Sequence, residues 1–241
     1  MDHPSLPAGQ LLYAVGDIHG RADLLARLLS LIEADAAKSK HVERLTLVFV
    51  GDYVDRGPAS RSVVDRLISG LPEGFDACFL KGNHEAILLD FLDDAGRLDH
   101  WLMNGGDATL SSYGVDCQPS LRGWADQEQC RKAFVAALPD AHRRFFESLK
   151  LSQSFGDYLF VHAGVRPGVA LDAQDPDDLV WIRGEFLDSE MPFGQIVVHG
   201  HTPAKEPVLR VNRIGIDTGA YFSNRLTALR LEGSSRSFLQ T

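Results

Sequence analysis

Charge is packed most densely at Gly51-Asp52-Tyr53-Val54-Asp55-Arg56-Gly57, where two carboxylates and an arginine fall within five residues. The apolar run at 45–50 leads directly into it. Such charge has no use in a core, but just past the carboxyl end of a buried strand it stands where open α/β sheets bind ligands. Asp52 is read as a carboxylate that bridges two metal ions. Asp17-Ile18-His19 ends another apolar run and places donors at i and i+2, on one side of an extended segment, where both can reach one metal. Asn83, in Lys81-Gly82-Asn83-His84-Glu85, offers an uncharged oxygen. His162 follows the run at 158–161, and His199-Gly200-His201 follows the run at 196–198. Each site alone has an ordinary account: Asp as a helix cap, Asn as a turn residue, His as a hydrogen-bonded strand end. Five apolar runs that each pass straight into Asp, Asn or His in a glycine-containing turn form a set, and the set points to chemistry.

The donors are nitrogen and oxygen, without cysteine. That suits manganese, iron or zinc, and neither a sulfur-bound structural zinc nor an all-oxygen calcium cage. Several donors around one shared carboxylate imply two ions about 3.5–4 Å apart, which bring the pKa of a bridging water near neutrality. Such a pair grips phosphate oxygens, an arginine supplies a bidentate fork for the rest, and a histidine beside a carboxylate can protonate a leaving oxygen.

Strands joined by helices must position these groups. The strand at 11–15 precedes a helix with Leu24, Leu25, Leu28, Leu31 and Ile32 on one stripe. After Pro58 a helix turns Val63, Val64, Leu67 and Ile68 inward and stops at Gly70, with Pro72 beyond. After the strand at 77–80, Ile87, Leu88, Phe91 and Leu92 mark a third helix. Residues 96–150 break this rhythm with Trp101, Tyr113, Trp124 and helices at about 126–138 and from 140. They are read as a helical insertion that shapes substrate access. An apolar run at 179–182 ends in Arg183, strands at 208–211, 213–217 and 226–231 follow, and His3, His41, His100 and His142 are read as surface residues. Residues 1–10 are expected to be disordered, and 11–241 to form one domain.

The 241-residue chain carries a formal net charge of -9, which argues against a nucleic-acid duplex as partner. Cys78, Cys117 and Cys130 show no paired spacing, so no disulfide is expected. The first ten residues lack the basic start and apolar run of a signal peptide, and no apolar stretch approaches the length of a membrane span. The chain reads as a soluble cytoplasmic protein. Its sequence carries no sign of an oligomeric state.

Asp17-Ile18-His19-Gly20, Gly51-Asp52-Tyr53-Val54-Asp55-Arg56-Gly57 and Gly82-Asn83-His84-Glu85 resemble the three signature blocks of the phosphoprotein phosphatase family of calcineurin-like metallophosphoesterases. Val161-His162-Ala163-Gly164 and Gly200-His201-Thr202-Pro203 resemble its later histidine blocks, and the likeness spans about residues 11–231. Pro203 stands where the wider superfamily often has a second histidine. Ile216-Asp217-Thr218-Gly219-Ala220 resembles the bacterial and phage-type members.

The resemblance implies an α/β fold of two mixed sheets packed face to face with helices outside. It implies two divalent ions, manganese foremost, with Asp17 and His19 on the first, Asp52 bridging, and Asn83, His162 and His201 on the second. It implies that Arg56 binds phosphate and that His84, oriented by Asp55, protonates the leaving group. Arg183 is a candidate second phosphate arginine.

The leading expectation for substrate is phosphoserine and phosphothreonine on proteins. The runner-up shares the chemistry but cleaves dinucleoside tetraphosphates or nucleotide caps on RNA ends, with Trp101, Tyr113 and Trp124 as base-stacking candidates. A non-catalytic phosphate-binding scaffold is the reading of another class, and the filled donor positions argue against it.

Overall fold

A computed structural model describes residues 4–117 and 124–241. Strand β1 (Gln10–Val15), helix α1 (Ala22–Ala36), β2 (Arg44–Phe49), α2 (Ser60–Ser69), β3 (Phe75–Phe79) and α3 (Asn83–Asp93) form three strand–loop–helix units. The strand pairs β1–β2 and β2–β3 are parallel, as such crossovers require. Four helices follow: α4 (Leu98–Met103), α5 (Gly106–Ser112), α6 (Trp124–Ala137) and α7 (Asp140–Glu147). Then come β4 (Ser152–Phe155), β5 (Tyr158–Val161), α8 (Pro176–Trp181), α9 (Gly184–Leu187), β6 (Ile196–His199), β7 (Val208–Leu209), β8 (Arg213–Gly215), α10 (Ala220–Ser223), β9 (Thr227–Glu232) and β10 (Ser235–Gln240).

The strands make two mixed five-stranded sheets, in the orders β10-β9-β1-β2-β3 and β4-β5-β6-β8-β7. Strand alternation explains how they stack. Leu12, Ala14, Val48 and Val50 of the first sheet meet Tyr158, Phe160, Val198 and Ile214 of the second in one core. The alternate residues Leu11, Tyr13, Leu47 and Phe49 face α1, α2, α3 and the helices at 98–147. Leu159, Val161 and Val197 face α8 and α9 instead. The layers are therefore helix, sheet, sheet, helix, and each fully buried large apolar side chain contributes about 1.5–3 kcal/mol. The two central parallel sets end at the same edge of the sandwich, so their loops converge there.

Several expectations change. Residues 4–10, expected to be disordered, are held by both sheets: Leu6 is buried, its N–H donates to the Gly233 carbonyl between β9 and β10, and Tyr158 Oη donates to the Pro4 carbonyl. Leu31 and Ile68, expected inward, are exposed, because each sits at the margin of its helix's apolar stripe. His142, read as a surface residue, is buried and bonds Tyr113 and Asp65. Cys117 and Cys130 are disulfide-bonded, whereas no bond was expected. They lie 13 positions apart in sequence, and no short spacing motif announces a pair that the fold brings together. The apolar run at 179–182 forms the end of α8 and its exit. Strand β10 was not anticipated, since its polar sequence lacks a clear apolar alternation. His3 lies outside the described residues. Among those described, no helix is long and apolar enough to cross a membrane.

Candidate metal centre

Asp17 and His19 come from the loop after β1, Asp52, Asp55 and Arg56 from the loop after β2, and Asn83 and His84 from the first turn of α3. His162 follows β5, and His201 follows β6. All of these except Arg56 are buried, and they share one end of the sandwich. His19, Asp52 and His84 offer donor atoms all within 4.8 Å of one another, and Asp52, His162 and His201 form a second such group. Asp52 belongs to both. The expected bridge is thus the carboxylate that touches both halves: its Oδ2 is 3.4 Å from His19 Nε2 and its Oδ1 is 3.4 Å from His162 Nε2.

Backbone acceptors fix the rings. His19 Nδ1 donates to the Val54 carbonyl and His162 Nδ1 to the Val50 carbonyl, both at 2.9 Å. A carbonyl only accepts, so each Nδ1 holds the proton and each Nε2 presents a lone pair to the site. Burial pushes His19 down to about 3 and His201 down to about 2, and it lowers His162 as well. These three imidazoles stay neutral at neutral pH, which is the state a metal ligand requires.

The fit to cations rests on acceptors that crowd together. Asn83 Oδ1 lies 2.9 Å from both His162 Nε2 and His201 Nδ1. On the other side, Asp17 is buried with Oδ1 unpartnered among the described residues, while its Oδ2 accepts the His201 N–H at 2.9 Å. Burial, then the charges of Asp217 and Asp52, hold the Asp17 carboxyl well above the usual range. A cation is the group that this donor set lacks. Asp17 stands outside both compact triads and joins the centre through His201 and Asp217. For Asp52, burial opposes ionisation, but at the acid pH where His162, His84, His19 and His201 carry protons their charges outweigh it and hold the carboxyl below the usual range.

His84 differs from the other three. Its Nδ1 is 2.7 Å from Asp55 Oδ2, and its Nε2 points into the site without a partner among the described residues. Burial works against its charge, yet the Asp52 charge and the Asp55 hydrogen bond hold its pKa above the usual value. The insertion grips Asp55 from behind. Trp101 Nε1 donates to both carboxylate oxygens at 3.0 and 3.1 Å, and Thr109 Oγ1 donates to Oδ1 at 2.6 Å.

The two arginines approach from opposite flanks. Arg56 Nη1 donates to His19 Nε2 at 3.0 Å, with its guanidinium over the Tyr221 ring. Arg183 Nε donates to His201 Nε2 at 2.9 Å. Each covers a histidine nitrogen at the site.

Two residues carry more of the site than the sequence indicated. Buried Glu85 accepts four backbone N–H groups, from Asp52, Tyr53, Val54 and Gly82, and so ties the Asp52 loop to the start of α3. Burial and then the Asp52 charge push its carboxyl up to about 8. Asp217 is buried beside Asp17 and pushed up to about 6 by burial. Both stand inside quoted motifs, but only the fold reveals what they touch. Close approach also explains two glycines. A Cβ on Gly82 would lie 2.1 Å from Asp52 Oδ1, and one on Gly200 would lie 2.0 Å from Asp17 Oδ1.

Two of the three base-stacking candidates lie in the core. Trp101 is fully buried, and Tyr113 is buried with its hydroxyl on His142. The Trp124 side chain lies outside the described residues.

Comparison with known proteins accords with this geometry. A bis(5'-nucleosyl)-tetraphosphatase PrpE [asymmetrical] of Anoxybacillus flavithermus is 28% identical over 236 residues, covering 90% of this chain and 88% of its own. A solved structure provisionally described as a diadenosine tetraphosphatase superposes with a TM-score of 0.64 at 22% identity, covering 98% of this chain and 95% of that one. The cold-active protein-tyrosine phosphatase of a Shewanella species gives 0.60 at 17% identity, covering 95% and 80%. These structural likenesses establish a shared fold. Residues 11–229 match the family described as Calcineurin-like phosphoesterase, and the chain belongs to that family.

Proposed function

We propose that this protein is a dinuclear-metal hydrolase of dinucleoside polyphosphates. The observation that carries the reaction class is Asp52, shared by two adjacent donor groups. In this reading Asp17, His19 and Asp52 hold one ion, and Asp52, Asn83, His162 and His201 hold the other, with manganese, iron or zinc suited to the donors. Ions bound there supply Lewis acidity and an acidified water as nucleophile. Arg56 and Arg183, on opposite flanks, bind phosphate oxygens and orient the chain of phosphates across the centre. Asp55 holds the proton on His84 Nδ1, and its charge favours a second proton on Nε2, which is delivered to the oxygen that leaves phosphorus.

For substrate, the relatives that match along 90% of the chain favour the dinucleotide over the phosphoprotein reading. One observation speaks for phosphoprotein hydrolysis as a second reading. A positively charged His84 helps most when the leaving oxygen is strongly basic, as a serine alkoxide is, and least when the leaving group is a nucleotide phosphate.

The deciding experiment is turnover by manganese-reconstituted protein on diadenosine tetraphosphate and on a phosphothreonine peptide at matched concentrations. We expect kcat/KM at least tenfold higher on the dinucleotide. Preference for the peptide would overturn the proposal and promote the second reading.

A further inference from the structure

With Trp101 and Tyr113 in the core, a nucleoside needs another platform. The exposed aromatic beside the second donor group is Trp181, which ends α8 and is 39% exposed. Its ring is nearly perpendicular to that of His201, with centroids 6.2 Å apart, and to that of His100, at 6.4 Å. It forms one wall of a cleft of about 340 Å³ whose other walls include Ile87 and Asp90 of α3, Arg97, His100 and Asp177. That volume is in the range of small-ligand sites. Helix α3 links the cleft to the metal centre, with Asn83 at its first residue and Ile87 and Asp90 on the cleft wall. Asn83 and Asp90 lie on one face of α3, separated by about 10 Å of helical rise, a span that a nucleoside covers.

The charges run in the matching order. Arg183 sits on His201 at the inner end, where phosphate arrives. Asp90 and Asp177 are exposed at the outer end, and neither side chain forms an ion pair among the described residues. Two carboxylates repel phosphate, but they accept hydrogen bonds from the exocyclic amine of a base. An aromatic face, a buried aliphatic floor at Ile87 and acceptors at the far end are the surroundings that a purine bearing an amino group requires.

We propose that this cleft is a purine-base subsite, with Trp181 as its stacking platform and Asp90 and Asp177 as its polar end. It holds one nucleoside of the substrate while the phosphates cross the metal centre. The inference rests on the proposed dinucleotide function and deepens it.

The test compares wild type, Trp181→Ala and Trp181→Phe on diadenosine tetraphosphate and on inorganic tripolyphosphate, which has no base. It also compares AMP with ribose 5-phosphate as inhibitors of tripolyphosphate hydrolysis. Loss of one base–aromatic stack should raise the ratio of the dinucleotide KM to the tripolyphosphate KM roughly five- to hundredfold, and phenylalanine should recover most of it. AMP inhibition should weaken by a similar factor in Trp181→Ala, with ribose 5-phosphate affected less. An unchanged KM ratio, or equal weakening of both inhibitors, overturns the subsite. If wild type cleaves tripolyphosphate but not the dinucleotide, the substrate reading fails by itself. The AMP comparison then still decides the subsite: selective weakening upholds it, and equal weakening removes it.

Discussion

Trp101→Phe separates a structural indole from a binding one. The ring is fully buried, and its N–H reaches Asp55 Oδ1 at 3.0 Å and Oδ2 at 3.1 Å. A hydrogen bond to a charged group is worth about 1.5–3 kcal/mol, and the smaller ring adds a cavity cost of about 1 kcal/mol. A chain of this length loses roughly 2–4 °C in Tm per kcal/mol, so a fall of roughly 5–15 °C is expected. The catalytic effect should follow the leaving group. Asp55 keeps Thr109 and His84 as partners but loses a donor that fixes its plane. General acid catalysis contributes about 10²–10⁴-fold, and a loosened Asp55 should lose around tenfold of it on alkyl phosphates and little on p-nitrophenyl phosphate. The assay is kcat on both substrates at equal metal content, with Tm by calorimetry. Unchanged Tm together with a raised KM for diadenosine tetraphosphate alone would refute this account and return Trp101 to base stacking.

Asp52→Asn should remove both ions as judged by elemental analysis and reduce turnover by more than the 10–100-fold that loss of a supporting partner costs, whereas loss of a single ion would show that Asp52 does not bridge. Glu85→Gln should turn an amide NH₂ toward backbone N–H donors and cost about 2–4 kcal/mol, read as Tm; an unchanged Tm would deny that Glu85 ties the two loops. His199 is buried 3.3 Å from Arg213 Nη1, and burial pushes its pKa down to about 3. The unfolded histidine takes up a proton near pH 6.5 and the folded one does not, so this group withdraws stability as pH falls from about 6.5 toward 3, by about 1.4 kcal/mol per unit. The Tm gap between wild type and His199→Asn should therefore narrow from pH 7 to pH 5, and a constant gap would contradict the assignment.

Apolar runs in the sequence announced β1, β2, β5 and β6, because central parallel strands are buried on both faces and must be continuous in Val, Leu, Ile and Phe. The donors at their ends were legible for the same reason: a polar residue directly after such a run has nowhere to go but the sheet edge. What the fold adds depends on tertiary contact. Trp101 read as a possible platform because a sequence does not show which face of an indole is covered. Glu85 read as part of a motif because its four N–H partners come from a loop 31–33 residues away and from Gly82. Trp181 sat in an apolar run that could have been entirely core; Asp175, a cap whose carboxylate accepts the Asp177 N–H, starts a short helix there and leaves the tryptophan at its exposed end. The Cys117–Cys130 bond was not expected because spacing alone does not record proximity.

The backbone shows what it costs to assemble the centre. Among the described residues, seven non-glycine positions have positive φ, and five of them are His19, Asp52, Asp55, Arg56 and His201. A left-handed conformation costs about 1–2 kcal/mol for an L-residue, so the five together approach the net stability of an ordinary domain. Relaxing any one would swing its side chain out of the centre. The strain persists because each loop is pinned by bonds that only this geometry permits. The His19 N–H donates to the Asp52 carbonyl, the Asp55 N–H to Thr109, the Arg56 N–H to Gly105, and the His201 N–H to Asp17. The insertion therefore serves the centre twice, through Thr109 and Gly105 on the backbone and through Trp101 on the Asp55 carboxylate. Strain gathered at the donor residues, and offset by contacts that converge on them, is what a site built to hold charge in a fixed arrangement should show.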